Sequence, residues 1–341
     1  MGRKLAYPGG TSTELARWRR AATRKLRQLT GYDSMQAADL RPRVTGEVDC
    51  GDYRRQRVEI QTEPGVVMPC YVLIPKNIDG PRPAVLAPHG HGGGGKVSVA
   101  GIRETPEVTA AIEGYNYAYG LQFVRAGFVT FCPDARGFGE RQEQAALGNP
   151  LGSSCQVLNN MGLPLGQTVT GMWAWDLHRL IDYVQTRDDC QADRIGCAGL
   201  SGGGLQTLWA TALNRRIRCA VVSGYMYGYK QSLLDMHTNC SCNFVPHLYE
   251  HLDMGDIAAL IAPRPLLIET GTRDSLNGAG GLANVRSQLR IIRRAYRDAD
   301  AQGLVKHDIF EGNHRWNGIQ AIPWMQKHLD SRVQTRGRCH K

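Results

Sequence analysis

Arg194-Ile195-Gly196-Cys197-Ala198 leads without a break into Gly199-Leu200-Ser201-Gly202-Gly203, and a helical pattern follows over about 205–213. The first five residues read as a strand and the next five as a sharp turn. Such a turn needs minimal side chains on either side of the serine, and it lifts Ser201 Oγ out of a sheet into a cleft. G-x-S-x-G alone is a weak signal, because small residues produce it by chance. The competing reading is a glycine-rich strand-to-helix turn with a solvated serine, and the chain around the turn has to decide.

A serine hydroxyl needs a base, and the base needs an orienting acid. Around such an elbow the chain order is Ser, then Asp or Glu, then His. Downstream, the strand-like run Pro265–Thr270 ends in Gly271-Thr272-Arg273-Asp274, and Val305–Phe310 ends in Glu311-Gly312-Asn313-His314. Both side chains would follow the carboxyl ends of parallel strands, where open α/β sheets build their sites. Either residue alone reads as an ordinary loop residue; the ordered trio Ser201, Asp274, His314 does not. Glu269 is the alternative acid, although its alternating position points it into the sheet packing.

Upstream, Pro83–Pro88 is a short apolar strand leading into His89-Gly90-His91-Gly92-Gly93-Gly94-Gly95-Lys96. The oxyanion hole is expected to combine the Gly202 N–H with the His91 N–H, with Gly92 as the alternative donor. Losing one such donor typically lowers turnover by about 10²–10³. The same stretch nearly matches a phosphate-binding loop, but Val97 stands where a Ser or Thr must reach magnesium.

Around these motifs the chain alternates strand and helix patterns. Arg57–Thr62 and Val66–Pro75 read as a hairpin about Pro64-Gly65, and Phe128–Cys132 and Ile217–Val222 as further strands. Thr168–Gln185 is a strong helix, with helices also expected near 282–297 and 319–329. A hairpin followed by β–α units predicts a mostly parallel central sheet with helices on both faces. Thr11 and Glu14 form a capping-box pattern, and Leu15, Trp18, Ala22, Leu26 and Leu29 follow at helical spacing. This N-terminal helix is expected to pack on the body or on a second subunit. Two irregular stretches, 138–167 and 227–256, are long enough to be functional loops.

With these residues in view, the chain resembles a serine α/β-hydrolase of the dienelactone-hydrolase-like and acetyl-xylan-esterase-like group. The resemblance rests on His89-Gly90-His91-Gly92, Pro133–Glu140, Gly199–Gly203, Ala262-Pro263-Arg264-Pro265 leading to Asp274, and Gly312-Asn313-His314. It spans roughly residues 40–330 and implies the triad Ser201, Asp274, His314 and hydrolysis of carboxylic esters. Dienelactone hydrolase proper uses a cysteine nucleophile, so Ser201 argues against lactone opening. The group also implies a homo-oligomer.

Three further features need a reading. Asp134 and Arg136 are expected to fix the turn after their strand through hydrogen bonds and an ion pair. Met236–His251 holds His237, Cys240, Cys242, His247 and His251; His247 and His251 would share a face if the segment were helical, yet Cys-x-Cys fits the common zinc patterns poorly. Pocket lining is therefore expected here rather than a metal, with Tyr225, Tyr227 and His237 as substrate-binding candidates.

The net charge of +10 comes from the ends: +7 over residues 1–30 and +4 over 327–341 leave the body near neutral. Nucleic acid is therefore not the expected partner. The apolar runs are too short for a membrane span, and no apolar stretch follows the basic start, so no export signal is read. Ten cysteines are too sparse for a disulfide framework, which favours a reducing cytoplasm.

The expected architecture is one α/β-hydrolase domain over 41–330 with a lid-like insert at about 227–256. A helical extension (1–40) precedes it and a basic tail (331–341) follows. The expected activity is hydrolysis of small acyl esters of sugars or other small molecules, with no cofactor. The rivals are a peptidase or amidase of prolyl-oligopeptidase type, whose propeller the short N-terminal region cannot supply, and a non-catalytic binding protein on the same fold.

Overall fold

The strand patterns assemble into one twisted sheet. The computed structural model describes residues 2–76 and 79–329, so the basic tail lies outside the described residues. Among those residues the sheet has nine strands: β1 (Arg43–Asp49), β2 (Tyr53–Glu63), β3 (Val66–Pro75), β4 (Arg82–Leu86), β5 (Val129–Pro133), β6 (Cys190–Leu200), β7 (Ile217–Ser223), β8 (Leu266–Gly271) and β9 (Val305–Phe310). Their order is β1-β2-β3-β5-β4-β6-β7-β8-β9. The first three pair antiparallel, as does β3 with β5, and every pair from β5 to β9 is parallel.

β4, β5 and β8 are buried at every position because helices cover both faces of the sheet. Alternation then sorts the side chains. Val221 and Leu267 meet Phe123, Trp324 and Met325 on one face, whereas Val222, Leu266 and Ile268 meet Leu208, Trp209, Leu289 and Ile292 on the other. β1 was not expected. All seven of its residues are exposed, so no buried face leaves an apolar signature.

The N-terminal helix, Ser12–Thr30, carries the expected capping box and buries Leu15, Trp18, Ala22 and Leu26 in the same core as the helix Leu282–Asp298. Just beyond it, Tyr32 Oη meets the buried His178 Nδ1 at 2.5 Å. Its basic face is therefore the outer side of a helix docked on the body. Among the described residues, no helix is long and apolar enough to cross a membrane.

This topology places the ends of β4, β6, β7, β8 and β9 along one edge. His89, Ser201, Gly224, Asp274 and His314 each lie within a few residues of a strand end there.

Candidate active site

Ser201 sits between β6 and the helix Gly202–Leu213 with φ 61° and ψ −120°. A non-glycine residue held there stores of order 1–3 kcal/mol of strain, which the surroundings must over-determine. Ser201 N donates to Ser223 O (2.9 Å), and Leu205 N donates to Ser201 O (2.9 Å). The flanking glycines are required by backbone approach: a Cβ on Gly203 would lie 2.2 Å from Pro88 O, and one on Gly199 would lie 2.5 Å from Gly203 C.

Asp274 and His314 meet across the loops that follow β8 and β9. Asp274 Oδ2 lies 2.7 Å from His314 Nδ1, while Asp274 Oδ1 accepts from Leu276 N at 2.9 Å. The carboxylate is sealed and the imidazole is about one-fifth exposed (side-chain exposures 2% and 20%). Gly224, after β7, lets the backbone reach the imidazole: a Cβ there would be 2.9 Å from His314 Cε1. Glu269 points into the packing, where Oε1 accepts from Gly318 N (3.0 Å) and burial pushes its carboxyl up to about 7.

The loop after β4 is held carbonyl by carbonyl. Tyr119 Oη donates to Pro88 O (2.5 Å), Gln206 Nε2 to His89 O (2.7 Å) and Tyr117 Oη to His91 O (3.0 Å). Ala135 N donates to His89 Nε2 (3.1 Å), which leaves the His89 proton on Nδ1 to donate to Gly90 O (2.9 Å). Burial lowers the His89 imidazole below its ordinary value, consistent with this neutral tautomer. In a planar trans peptide the N–H opposes the C=O, so pinning Gly90 O also aims the His91 N–H. Gly90 packs against the elbow, with room for no Cβ: it would sit 2.9 Å from Gly202 N.

Ser201, Gly202, His91 and His314 line one cavity of about 410 Å³, together with Tyr225 and Tyr227. Tyr225 Oη donates to Asn243 Oδ1 (2.9 Å), and burial holds both phenols far above their ordinary value, hence as neutral O–H groups. His237 is exposed and its Nδ1 faces Asp235 O at 3.1 Å; its neighbours Thr238 and Asn239 line the cavity instead. Tyr115, whose ring centroid is 6.3 Å from that of His314, and Tyr117 were not anticipated. The Tyr-x-Tyr-x-Tyr run 115–119 was the available signal.

The histidine- and cysteine-rich segment does not gather on itself. His247 precedes the four-residue helix Leu248–His251 in a left-handed conformation, so the two histidines do not share a helical face. His247 pairs with Glu250 (2.7 Å). Cys240 and Cys242 instead meet Cys155 and the His91 imidazole, with all four ligand atoms within 4.8 Å of one another. Nothing near Cys155 in the sequence signals this.

Asp134 and Arg136 do secure the turn after β5, each with a partner of its own. Asp134 accepts from Lys96 Nζ (2.7 Å) and Lys96 N (2.8 Å), while Arg136 pairs with Asp176 (2.8 Å) and Glu63 (2.7 Å). Lys96, the lysine of the phosphate-loop-like stretch, is thus consumed by Asp134 and Glu140.

Comparison with known proteins bears on the family and the fold. The model of the Abhydrolase family matches residues 5–317, a stretch that includes the N-terminal helix. YtaP of Bacillus subtilis (strain 168), a candidate hydrolase, is 32% identical over 247 residues, covering 70% of this chain and 76% of YtaP. Among solved structures, BF1801, a candidate acetyl xylan esterase from Bacteroides fragilis NCTC 9343, superposes with a TM-score of 0.81 at 18% identity, over 97% of this chain and 92% of that one. A glucuronoyl esterase from Teredinibacter turnerae T7901 gives 0.66 at 19% identity over 95% and 88%. Acetyl xylan esterase 1 from Thermoanaerobacterium sp. JW/SL YS485 gives 0.60 at 19% identity over 96% and 98%. At these identities the superpositions establish the fold, which is that of the α/β-hydrolases.

Proposed function

The chain belongs to the abhydrolase family, and on that premise we propose that it is a serine hydrolase of carboxylic esters. The observation that carries the reading is Ser201, strained at its elbow and sharing a cavity with an imidazole whose other nitrogen is held by a buried carboxylate. Asp274 on Nδ1 leaves His314 Nε2 as the base. His314 takes the Ser201 proton as Oγ attacks the ester carbonyl, and the Gly202 and His91 amides receive the oxyanion. His314 returns that proton to the departing alcohol. It then activates water, which splits the acyl-enzyme to acid and free serine.

A cavity of about 410 Å³ walled by tyrosine hydroxyls and asparagine amides suits a small acyl group on a polar alcohol. Acetylated sugars fit that description, and the named activities of the structural neighbours favour the same class. Residues 41–330 are read as the catalytic unit, with 1–40 as a docked helical extension and 227–256 as the insert that shapes the acyl pocket. The nine described cysteines are all free, in keeping with a cytoplasmic setting.

The test is p-nitrophenol release from acetate, butyrate and octanoate esters by wild type and Ser201→Ala. Acetate should be turned over fastest, and the variant should lose at least about 10⁴-fold in kcat. Turnover that survives the substitution removes Ser201 from the mechanism. A folded wild type inert on all three esters removes the esterase reading.

A further inference from the structure

Behind the oxyanion loop lies a second constellation that the ester chemistry does not use. Cys155 is the first residue of the helix Cys155–Gly162; Cys240 immediately precedes the turn Ser241–Asn243, and Cys242 is its middle residue. The His91 imidazole stands between them, edge-on to Phe138 and Trp173, with ring centroids 5.0 and 6.3 Å away. Its Nε2 lies 3.5 Å from Cys242 Sγ and 3.7 Å from Cys155 Sγ.

We propose that Cys155, Cys240, Cys242 and His91 Nε2 form a tetrahedral site for one Zn²⁺ ion. The donor set is three soft thiolates and one imidazole, a combination that zinc takes in closed structural sites. Zn–S bonds of about 2.3 Å and Zn–N bonds of about 2.0–2.1 Å imply sulfur–nitrogen edges of about 3.6 Å in a tetrahedron. Both sulfur–nitrogen distances here match that edge, and the 4.8 Å limit on the rest asks only for small side-chain rotations.

The backbone that carries the ligands is already secured. Asn159 Nδ2 donates to Ser241 O (3.1 Å), Thr170 Oγ1 to Cys242 O (2.5 Å), and Asn243 Nδ2 to Cys240 O (3.0 Å). Asn243 Nδ2 also approaches Cys242 Sγ at 3.6 Å. Binding releases the three thiol protons to solvent and leaves the site with one net negative charge. Four protein ligands leave no open position, so the ion ties segments together rather than activating water. It would clasp the oxyanion loop to both irregular stretches, 138–167 and 227–256. This inference does not depend on the esterase reading, and its test reads metal rather than turnover.

The full chain, purified under reductant, is loaded with zinc, passed through a desalting column and assayed by plasma mass spectrometry. One zinc per chain is expected. Cobalt(II) exchanged into the site should give the intense visible bands and sulfur-to-metal charge transfer of a tetrahedral thiolate centre. Cys155→Ser and Cys240→Ser, each removing one thiolate, should weaken zinc at least tenfold against a chromogenic chelator. If a variant fails to fold, the wild-type cobalt spectrum decides alone. Three free thiols with no retained zinc overturn the proposal. So does a pale octahedral cobalt spectrum, which marks adventitious surface metal, or a metal-free chain two hydrogens lighter, which marks a disulfide.

Discussion

Two paired carboxylates lie just beyond strand ends on the same edge of the sheet, and they are built for opposite purposes. Asp274 holds His314, whose side chain is 20% exposed and faces the cavity. Asp134 holds Lys96, whose side chain is 3% exposed, and Glu140 completes the enclosure. Against the pull of burial, Asp134 and Glu140 keep the Lys96 ammonium above its ordinary value, so it stays charged and gives no proton away. A buried pair locks the loop from below, and a half-open pair keeps one nitrogen free for chemistry. What separates a reactive pair from a structural one here is a free valence aimed into a cavity, not the residue types.

Substitutions on each side sharpen this contrast. Asp274→Asn should lower kcat on p-nitrophenyl acetate by about 10⁴, because the wrong imidazole tautomer is held, while the fold persists. A loss smaller than tenfold would transfer the role to another acid. Lys96→Met should do the reverse. It strands Asp134 as a buried charge and should remove about 3–5 kcal/mol of stability. A denaturant midpoint that barely moves at unchanged m would show that the Lys96 N–H and Glu140 N–H suffice for Asp134.

Glu269 supplies the third and smallest effect, a carboxyl that accepts from the Gly318 amide and, among the described residues, pairs with no cation. Burial raises its folded-state value to about 7 from an ordinary 4.5. The stability linked to it is therefore fully present below about pH 4.5 and lost as pH rises through about 7. Glu269→Gln cannot ionise, so its Tm relative to wild type should climb between about pH 5 and pH 8.5. A difference that stays flat across that range would mean the carboxyl is already ionised in the folded state below neutrality.

The clustering of Ser201, Asp274 and His314 was legible because each follows its own strand, and strands announce themselves by apolar runs. The hairpin, the helix Val169–Val184 and the buried face of the N-terminal helix were legible for the same reason. β1 was not, since an edge strand exposed on both faces has no period to read. Gln206 was missed because an amide that grips a carbonyl leaves no trace in spacing.

The sequence by itself determined which residues stand at the ends of which strands, because turns and periodicities are settled within a few residues of chain. Only the tertiary structure decided that Arg136 takes Asp176 rather than Asp134, and that Cys240 and Cys242 meet Cys155 and His91 rather than their neighbouring histidines. Those partners are 40 to 151 residues apart. Asp176 arrives on the helix Val169–Val184, and the others on irregular stretches whose paths follow from packing against the finished sheet; no local pattern encodes such a path.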